Sequence, residues 1–350
     1  MLWTMGRSGD RARSDKLGAW IRNETAKTAI LALSKMPSQA NCALPPGFQL
    51  DQYRIERQLS LGGFSIVYLA RDAHGMAVAI KEYLPNSLAL RKEGETEPQV
   101  SEEHRLAFRY GMKCFFEEGR SLAKLMHPNV VRVLNFFRAN GTVYMVMQFE
   151  RGRTLHDYIR KHRGEVKEML IRAVFARMLN GLREVHAHKL MHLDIKPSNI
   201  YLRNDGTPVL LDFGAARQTL MSDQPVLKPM YTPGYAAPEQ YEKGAQLGPW
   251  TDIYSVGASL HACIVGSPPP RADERAQEDT LQPLARTQAG RYSRQLLELV
   301  DWCLHLDPQQ RPPSVYALQK ALIHQENAPE RPEHWFSDLG SRLRSFIGRS

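Results

Sequence analysis

Residues 192–214 read His192-Leu193-Asp194-Ile195-Lys196-Pro197-Ser198-Asn199, then Ile200-Tyr201-Leu202-Arg203, Asn204-Asp205-Gly206-Thr207, Pro208-Val209-Leu210-Leu211 and finally Asp212-Phe213-Gly214. Asn204 to Thr207 is turn chemistry between two apolar runs, so the spacing predicts a hairpin over 200–211. With all four residues in the loop, Arg203 faces Pro208, and counting back sets Asn199 opposite Asp212. Two oxygen-bearing side chains then share the open end of a rigid hairpin. Hard cations take such oxygen ligands, with phosphate oxygens completing the shell. Asp194 and Lys196 add a carboxylate and an ammonium to the same mouth.

Upstream, short β-type runs follow one another: Tyr53–Leu59, Ile66–Ala70, Ala77–Lys81, Val130–Phe137 and Thr142–Met147. A helix from about Ser101 to Met126 interrupts them. It carries Glu102 and Glu103 in its first turn, where the helix dipole favours anions, and stops before His127-Pro128-Asn129. Beyond Gly152 the pattern turns helical, over roughly 154–162, 166–188, 251–265, 292–304 and 314–325. Strands with one helix followed by a helical block predict an α+β chain of two lobes. The expected division is an N-terminal extension (1–50), a small five-stranded lobe (51–148), a larger helical lobe (149–326) and an amphipathic tail (327–350).

The catalytic-loop stretch His192 to Asn199 and the triplet Asp212-Phe213-Gly214 resemble the catalytic and magnesium-binding motifs of protein kinases. Further matches follow in the family's order across residues 53–325. Val78-Ala79-Ile80-Lys81 resembles the strand whose lysine grips the α/β-phosphates, and alternation puts Ala79 and Lys81 on one face. Glu118 stands where the helix glutamate that pairs with this lysine should be. Ala237-Pro238-Glu239, Asp252 with Gly257, and Arg311 resemble the end of the activation segment, the buried anchoring helix and the arginine that pairs with Glu239. Each match alone is weak; their order and their placement on strand, helix or loop make the identification.

The resemblance implies a bilobal kinase fold that uses ATP and Mg²⁺, with Mn²⁺ as the alternative metal. Asp194 would accept the substrate hydroxyl proton and Lys196 steady the transferring phosphoryl group. Asn199 and Asp212 would hold the metals. Nucleotide contacts would come from Leu59, Gly62, Gly63, Phe64, Ser65, Val67, Ala79, Lys81, the gatekeeper Met147, and the Gln148 and Glu150 backbones. Lys196-Pro197 resembles the serine/threonine-specific branch, with protein substrates as acceptors. The texture, Glu82-Tyr83-Leu84-Pro85 included, is similar to bacterial eukaryotic-like kinases.

Three departures stand out. In Ser60-Leu61-Gly62-Gly63-Phe64-Ser65-Ile66-Val67, serines replace the family's first and third glycines. Leu193 replaces the arginine that usually pairs with a phosphorylated activation loop, so activity is expected without that phosphorylation, although Thr219, Ser222 and Thr232 carry hydroxyls. The stretch from Tyr83 to about Gly111 is longer than the family shows, and reads first as a solvated excursion, second as an element that positions the Glu118 helix. Thr232 reads about equally as a turn residue and as a contact of the substrate-binding loop. His192 reads as a core residue beside Phe213, not a base.

The chain is 43% hydrophobic and 24% charged, an ordinary globular composition. Its net charge of +9 is concentrated at the start, where residues 1–50 hold seven Lys/Arg against three Asp/Glu. Nucleic acid is therefore not an expected partner. Four scattered cysteines, no long apolar run and no secretory leader point to the cytoplasm. Trp20, Ile21, Ile30 and Leu31 are set for a short helix. The tail stripe of Trp335, Phe336, Leu339, Leu343, Phe346 and Ile347 is expected to dock on the helical lobe in preference to a membrane. Two rival functions remain: a pseudokinase scaffold, opposed by the retention of Lys81, Asp194 and Asp212, and a small-molecule kinase, opposed by Ala237-Pro238-Glu239 and its anchors.

Overall fold

The computed structural model describes residues 41–162, 165–213 and 232–324. The stretches 1–40, 214–231 and 325–350 lie outside the described residues, and with them the expected N-terminal helix, Gly214, Thr219, Ser222 and the tail stripe.

The described residues from Cys42 to His324 belong to one compact unit. Its small lobe is a six-stranded antiparallel sheet: β1 (Gln49–Leu50), β2 (Tyr53–Leu61), β3 (Ser65–Arg71), β4 (Ala77–Tyr83), β5 (Val133–Ala139) and β6 (Thr142–Gln148), in the order β1-β2-β3-β4-β6-β5. The added strand is β1, so the extension ends earlier than residue 50. Leu44 and Leu50 are buried with the sheet, and Leu44 donates its N–H to the Tyr68 hydroxyl at 3.1 Å. A two-residue strand is too short to show a period of two, which is why the sequence reading missed it.

One face of this sheet carries Ile66, Tyr68, Ile80, Glu82, Tyr144 and Val146, all fully buried. The other faces the cleft with Val67, Ala79, Lys81, Met145 and Met147. Helix α1 (Arg105–Leu122) packs on the cleft side through Phe108, Gly111, Phe115, Gly119 and Leu122, spaced along one helical face. Gly119 allows the close approach, because a Cβ there would sit 3.1 Å from Met145 Cε.

The stretch expected to be a solvated excursion is instead built into the small lobe. Leu84, Leu88, Ala89 and Arg91 are buried, and Arg91 forms an ion pair with Glu82 in which both side chains are 0% exposed. The guanidinium holds Glu82 at 2.6 and 2.7 Å, and the hydroxyls of Tyr68 and Tyr144 each donate to the same carboxylate at 2.7 Å. The sequence made Arg91 look solvent-bound because its partner's burial is settled only by the pairing of β3, β4 and β6.

The large lobe is helical. It comprises β7 (Gly152–Thr154), α2 (Leu155–Lys161), α3 (Glu168–Ala187), β8 (Ile200–Arg203), β9 (Pro208–Leu210), α4 (Pro249–Val265), α5 (Ala272–Arg275), α6 (Leu284–Thr287), α7 (Arg294–Cys303) and α8 (Val315–Ile323). Thr154 caps α2 by accepting from Asp157 N–H at 3.0 Å. Helix α4 is mostly apolar and is buried from Thr251 to Ile264, as a core helix must be, with Asp252 among its few buried polar groups. β7, unforeseen in the sequence, pairs with β8 with Gly152 opposite Arg203. A Cβ on Gly152 would lie 1.9 Å from the Leu202 carbonyl oxygen.

Gly152→Ala is therefore expected to destabilise the protein by about 3 kcal/mol or more, because backbone on both sides must move. The midpoint of urea unfolding checks this; an unchanged midpoint contradicts it.

Candidate active site

The hairpin is tighter than the sequence reading has it. Gly206 takes a left-handed conformation (φ 81) and the loop closes after three residues, with Arg203 and Thr207 as the closing pair. Leu202 faces Pro208, and Leu211 N–H donates to the Asn199 carbonyl at 2.8 Å. The register is thus one residue away from the expected one, and Asn199 lies opposite Leu211, not Asp212. Asp212 still reaches the same mouth, because its own backbone is left-handed (φ 51) and its carbonyl accepts from Asn199 Nδ2 at 3.4 Å.

The loop before the hairpin is held from below. Asp252, fully buried on α4, accepts the N–H groups of His192 at 2.9 Å and Leu193 at 2.7 Å, and its carboxylate meets His186 Nε2 at 2.8 Å. Leu193 has φ 60, a conformation that disfavours a branched side chain, so these bonds hold it against strain. Gln240 Nε2 donates to the Leu193 carbonyl at 3.1 Å from the other side. Burial alone would raise the Asp252 carboxyl, but the His186 hydrogen bond and neighbouring imidazoles outweigh it and hold the group below the ordinary carboxylate value.

Asp194 then projects into the mouth. Lys196 Nζ lies 3.1 and 2.9 Å from its two oxygens, and Asn199 Nδ2 donates to Asp194 Oδ2 at 3.0 Å and to its carbonyl at 2.9 Å. With Nδ2 so engaged, the acceptor end of Asn199 is the one offered to a cation. Thr232 joins the group: its hydroxyl donates to Asp194 Oδ1 at 2.9 Å and accepts from Lys196 Nζ at 2.7 Å. Thr232 is also the turn residue of its first sequence reading, its carbonyl accepting from the N–H groups of Tyr235 at 3.1 Å and Ala236 at 3.2 Å. An Asn/Asp oxygen pair suits a hard cation that takes its remaining ligands from phosphate.

Across the cleft, Lys81 Nζ sits 3.0 Å from Asp212 Oδ1 and 5.9 Å from the Phe115 ring centre. In this arrangement the lysine's carboxylate partner is Asp212, and the expected pairing of Lys81 with Glu118 is not seen among the described residues. Glu118 instead lines a cavity of about 330 Å³ under α1, together with Cys114, Leu122, Leu190, Met191 and Phe213. Phe115 occupies the α1 position above the lysine, a packing outcome that residue spacing does not reveal.

The residues expected to contact nucleotide lie on and around the cleft-side face of the small-lobe sheet. Val67 pairs with Lys81, and Ala79 with both Leu69 and Met147. Leu59, Phe64, Ser65, Val67 and Ala79 are half-buried, Met147 is buried and Gly62 and Gly63 are exposed. Gln148 donates its N–H to the Arg132 carbonyl at 2.9 Å. Glu150 is fixed by Arg203 through two bonds of 2.6 and 2.7 Å, tying the inter-lobe linker to the hairpin; spacing gave no sign of this pair.

Phe213 stacks on His192 with ring centres 4.4 Å apart. His192 Nε2 meets the Leu211 carbonyl at 2.9 Å, so this imidazole is a packing element, as expected. In the large lobe, Arg311 grips Glu239 at 2.8 and 3.0 Å, and Thr251 donates to Glu239 at 2.9 Å. Gly257 lets α7 approach, since a Cβ there would lie 2.5 Å from Cys303 Cβ.

Comparison with known proteins shows the family. The family profile described as protein kinase domain matches residues 53–324. The serine/threonine-protein kinase PLK4 of Drosophila virilis is 28% identical over 283 residues, covering 79% of this chain and 33% of that protein. Its namesake in Nematostella vectensis is 26% identical over 269 residues, covering 76% and 25%. The chain thus spans a third or less of these curated relatives. Among solved structures, the PpkA-294 apo form is similar with a TM-score of 0.73 and 38% identity, over 80% of this chain and 99% of that one. The Mycobacterium tuberculosis PknI kinase domain shares the fold, with a TM-score of 0.60, 22% identity, and coverage of 80% and 98%.

Burial lowers the His192 imidazole below its ordinary 6.5, with Asp252 and Asp194 pulling partly back. The folded chain then binds fewer protons than the unfolded one, so this contribution is fully present above pH 6.5 and is lost as pH falls through the folded value. The melting temperature is expected to drop between about pH 7.5 and 5.5, and His192→Asn to flatten part of that drop. Equal slopes in both proteins contradict the assignment.

Proposed function

Because the chain belongs to the protein kinase family, we propose that its cleft transfers the γ-phosphoryl group of ATP to serine and threonine hydroxyls of protein substrates. The observation that carries this reading is the convergence of Asp194, Lys196, Asn199 and Asp212 at one mouth with Lys81 opposite. Asp194 is the carboxylate that orients the acceptor hydroxyl and takes its proton. Lys196, held by Asp194 and Thr232, places positive charge where the transferred phosphoryl group becomes most anionic.

Asp212 and Asn199 are the residues that would hold Mg²⁺, or Mn²⁺ in its place. The cation supplies charge neutralisation on the β- and γ-phosphates. Lys81 serves the α/β-phosphates. Glu118 is assigned as its partner in the nucleotide-loaded enzyme, a role the Lys81–Asp212 contact does not fill. Val67, Ala79 and Leu59 suit the adenine face, with the Gln148 carbonyl and the Glu150 backbone at its edge. Gly62 to Ser65 lie over the phosphates.

A protein acceptor is supported by the Glu239–Arg311 pair, which braces the segment that would seat a peptide. The pseudokinase alternative has no support in the cleft, where the lysine and both aspartates are present and aimed together. Among the described residues no helix is long and apolar enough to cross a membrane.

Asp194→Asn should lower phosphoryl transfer at least about a hundredfold with ATP binding retained, since the lost group acts on the proton. Equal transfer by variant and wild type, measured with radiolabelled ATP, would return the case to the scaffold reading. Leu193 offers no charge to a phosphorylated loop. Phosphatase-treated enzyme should therefore keep its activity to within about tenfold, a barrier change under about 1.4 kcal/mol; a larger loss rejects this independence.

A further inference from the structure

The hydrogen bonds between β3 and β4 do not stop where the strands end. The ladder runs from Arg71↔Ala77 to Ser65↔Tyr83. Past it, Leu84 N–H donates to the Phe64 carbonyl at 2.9 Å, and Asn86 N–H to the Gly63 carbonyl at 2.9 Å. Both acceptors lie at the tip of the loop Gly62–Ser65, itself closed by Gly62 N–H to the Ser65 carbonyl at 2.9 Å. The tip of the glycine-bearing hairpin is thereby tied to the segment that follows the Lys81 strand.

That segment is anchored at its other end. Pro85 opens a turn in which Leu88 and Ala89 both donate to its carbonyl at 3.0 Å. Leu84, Leu88 and Ala89 are buried, and the run ends on Arg91, locked to Glu82. Arg91 Nε also donates to the Cys42 carbonyl at 2.8 Å, and Arg91 Nη2 to the Tyr68 hydroxyl at 2.8 Å. Glu82 adjoins Lys81 on the opposite face of β4. The chain thus closes a circuit: loop tip, residues 84–86, the turn, Arg91, Glu82, and back to the strand that presents Lys81.

We infer that segment 84–91 is a built-in tether that positions the phosphate-binding loop, with the Asn86 amide and the Arg91 guanidinium as its positioning groups. This rests on the ATP-binding reading above and deepens it. A loop with serines at 60 and 65 has less freedom to wrap phosphate than one with glycines there. Fixing its tip from outside lowers the conformational entropy lost when nucleotide binds. The buried pair is the anchor because a charge in that position, once paired, has no alternative partner in water to move to.

Two variants test the tether. Asn86→Pro deletes one amide donor at the second residue of a turn, where a proline ring is tolerated. Glu82→Gln with Arg91→Leu removes the anchor without leaving a lone buried charge, and carries the test should Asn86→Pro fail to fold. Affinity is read by displacing a fluorescent trinitrophenyl-ADP with ATP or with adenosine, together with the number of sites per chain. Both variants should bind ATP about tenfold more weakly, equivalent to about 1.4 kcal/mol, with adenosine affinity unchanged. A purely structural role would lower the number of sites and leave affinity alone. Unchanged ATP affinity in a folded variant, or equal losses for ATP and adenosine, overturns the tether. A wild-type protein that ATP cannot load at millimolar concentration instead defeats the nucleotide reading itself.

Discussion

A single buried carboxylate, that of Asp252, accepts two consecutive backbone N–H groups from the loop that carries Asp194. Leu193 adopts a left-handed backbone that a leucine does not choose by itself. The strain is tolerable because the surroundings over-determine it: Asp252 from α4 on one side, Gln240 on the other, and Phe213 stacked on His192 above. Remove that support and Asp194, Lys196 and Asn199 lose their common reference. Helix α4 can bear this role because it is buried without a break from Thr251 to Ile264.

The small lobe depends on a different junction, the end of β4. Lys81 faces the cleft and Asp212; Glu82 faces the opposite side and Arg91. Tyr83 returns to the α1 side, with ring centres 5.4 Å from Phe108 and 5.8 Å from Phe115. Leu84 bonds to the tip of the nucleotide loop. Four consecutive residues therefore connect the cleft, the outer face of the sheet, helix α1 and the tip of the glycine-bearing loop. Strand alternation makes this possible, since neighbours point in opposite directions at no extra conformational cost.

The two most enclosed arginine–glutamate pairs among the described residues, Glu82–Arg91 and Glu239–Arg311, are weak arguments for stability, because desolvation of each charge offsets most of the attraction. Their value is geometric. A bidentate guanidinium accepts one arrangement of its carboxylate, and breaking either pair leaves a buried charge at a penalty of about 3–5 kcal/mol. Each therefore fixes a segment: the 84–91 run in one lobe, which the sequence reading left as a surface excursion, and the stretch after Ala237 in the other, whose pairing the family resemblance had implied.

Periodicity and turn chemistry were enough to locate the long strands, the amphipathic α1, the apolar α4 and the hairpin near Asn204, because those signals are local to the chain. The motif residues Asp194, Lys196, Asn199, Asp212 and Lys81 were picked out by their resemblance to protein kinase motifs, with the turn chemistry supporting the first four. Glu239–Arg311 and His192 beside Phe213 were the distant contacts read in advance, the first through the family resemblance; most others required the tertiary structure. The hairpin register slipped by one because Gly206 alone takes the left-handed position, and a count of turn residues cannot see φ. Lys81 met Asp212 and not Glu118 because helix rotation is set by the packing of Phe108, Phe115 and Leu122. Arg91 went inside because Glu82, Tyr68 and Tyr144 converge only after three strands pair. Local pattern names the elements and their chemistry; burial and charge partnering are decided by what the folded chain brings alongside.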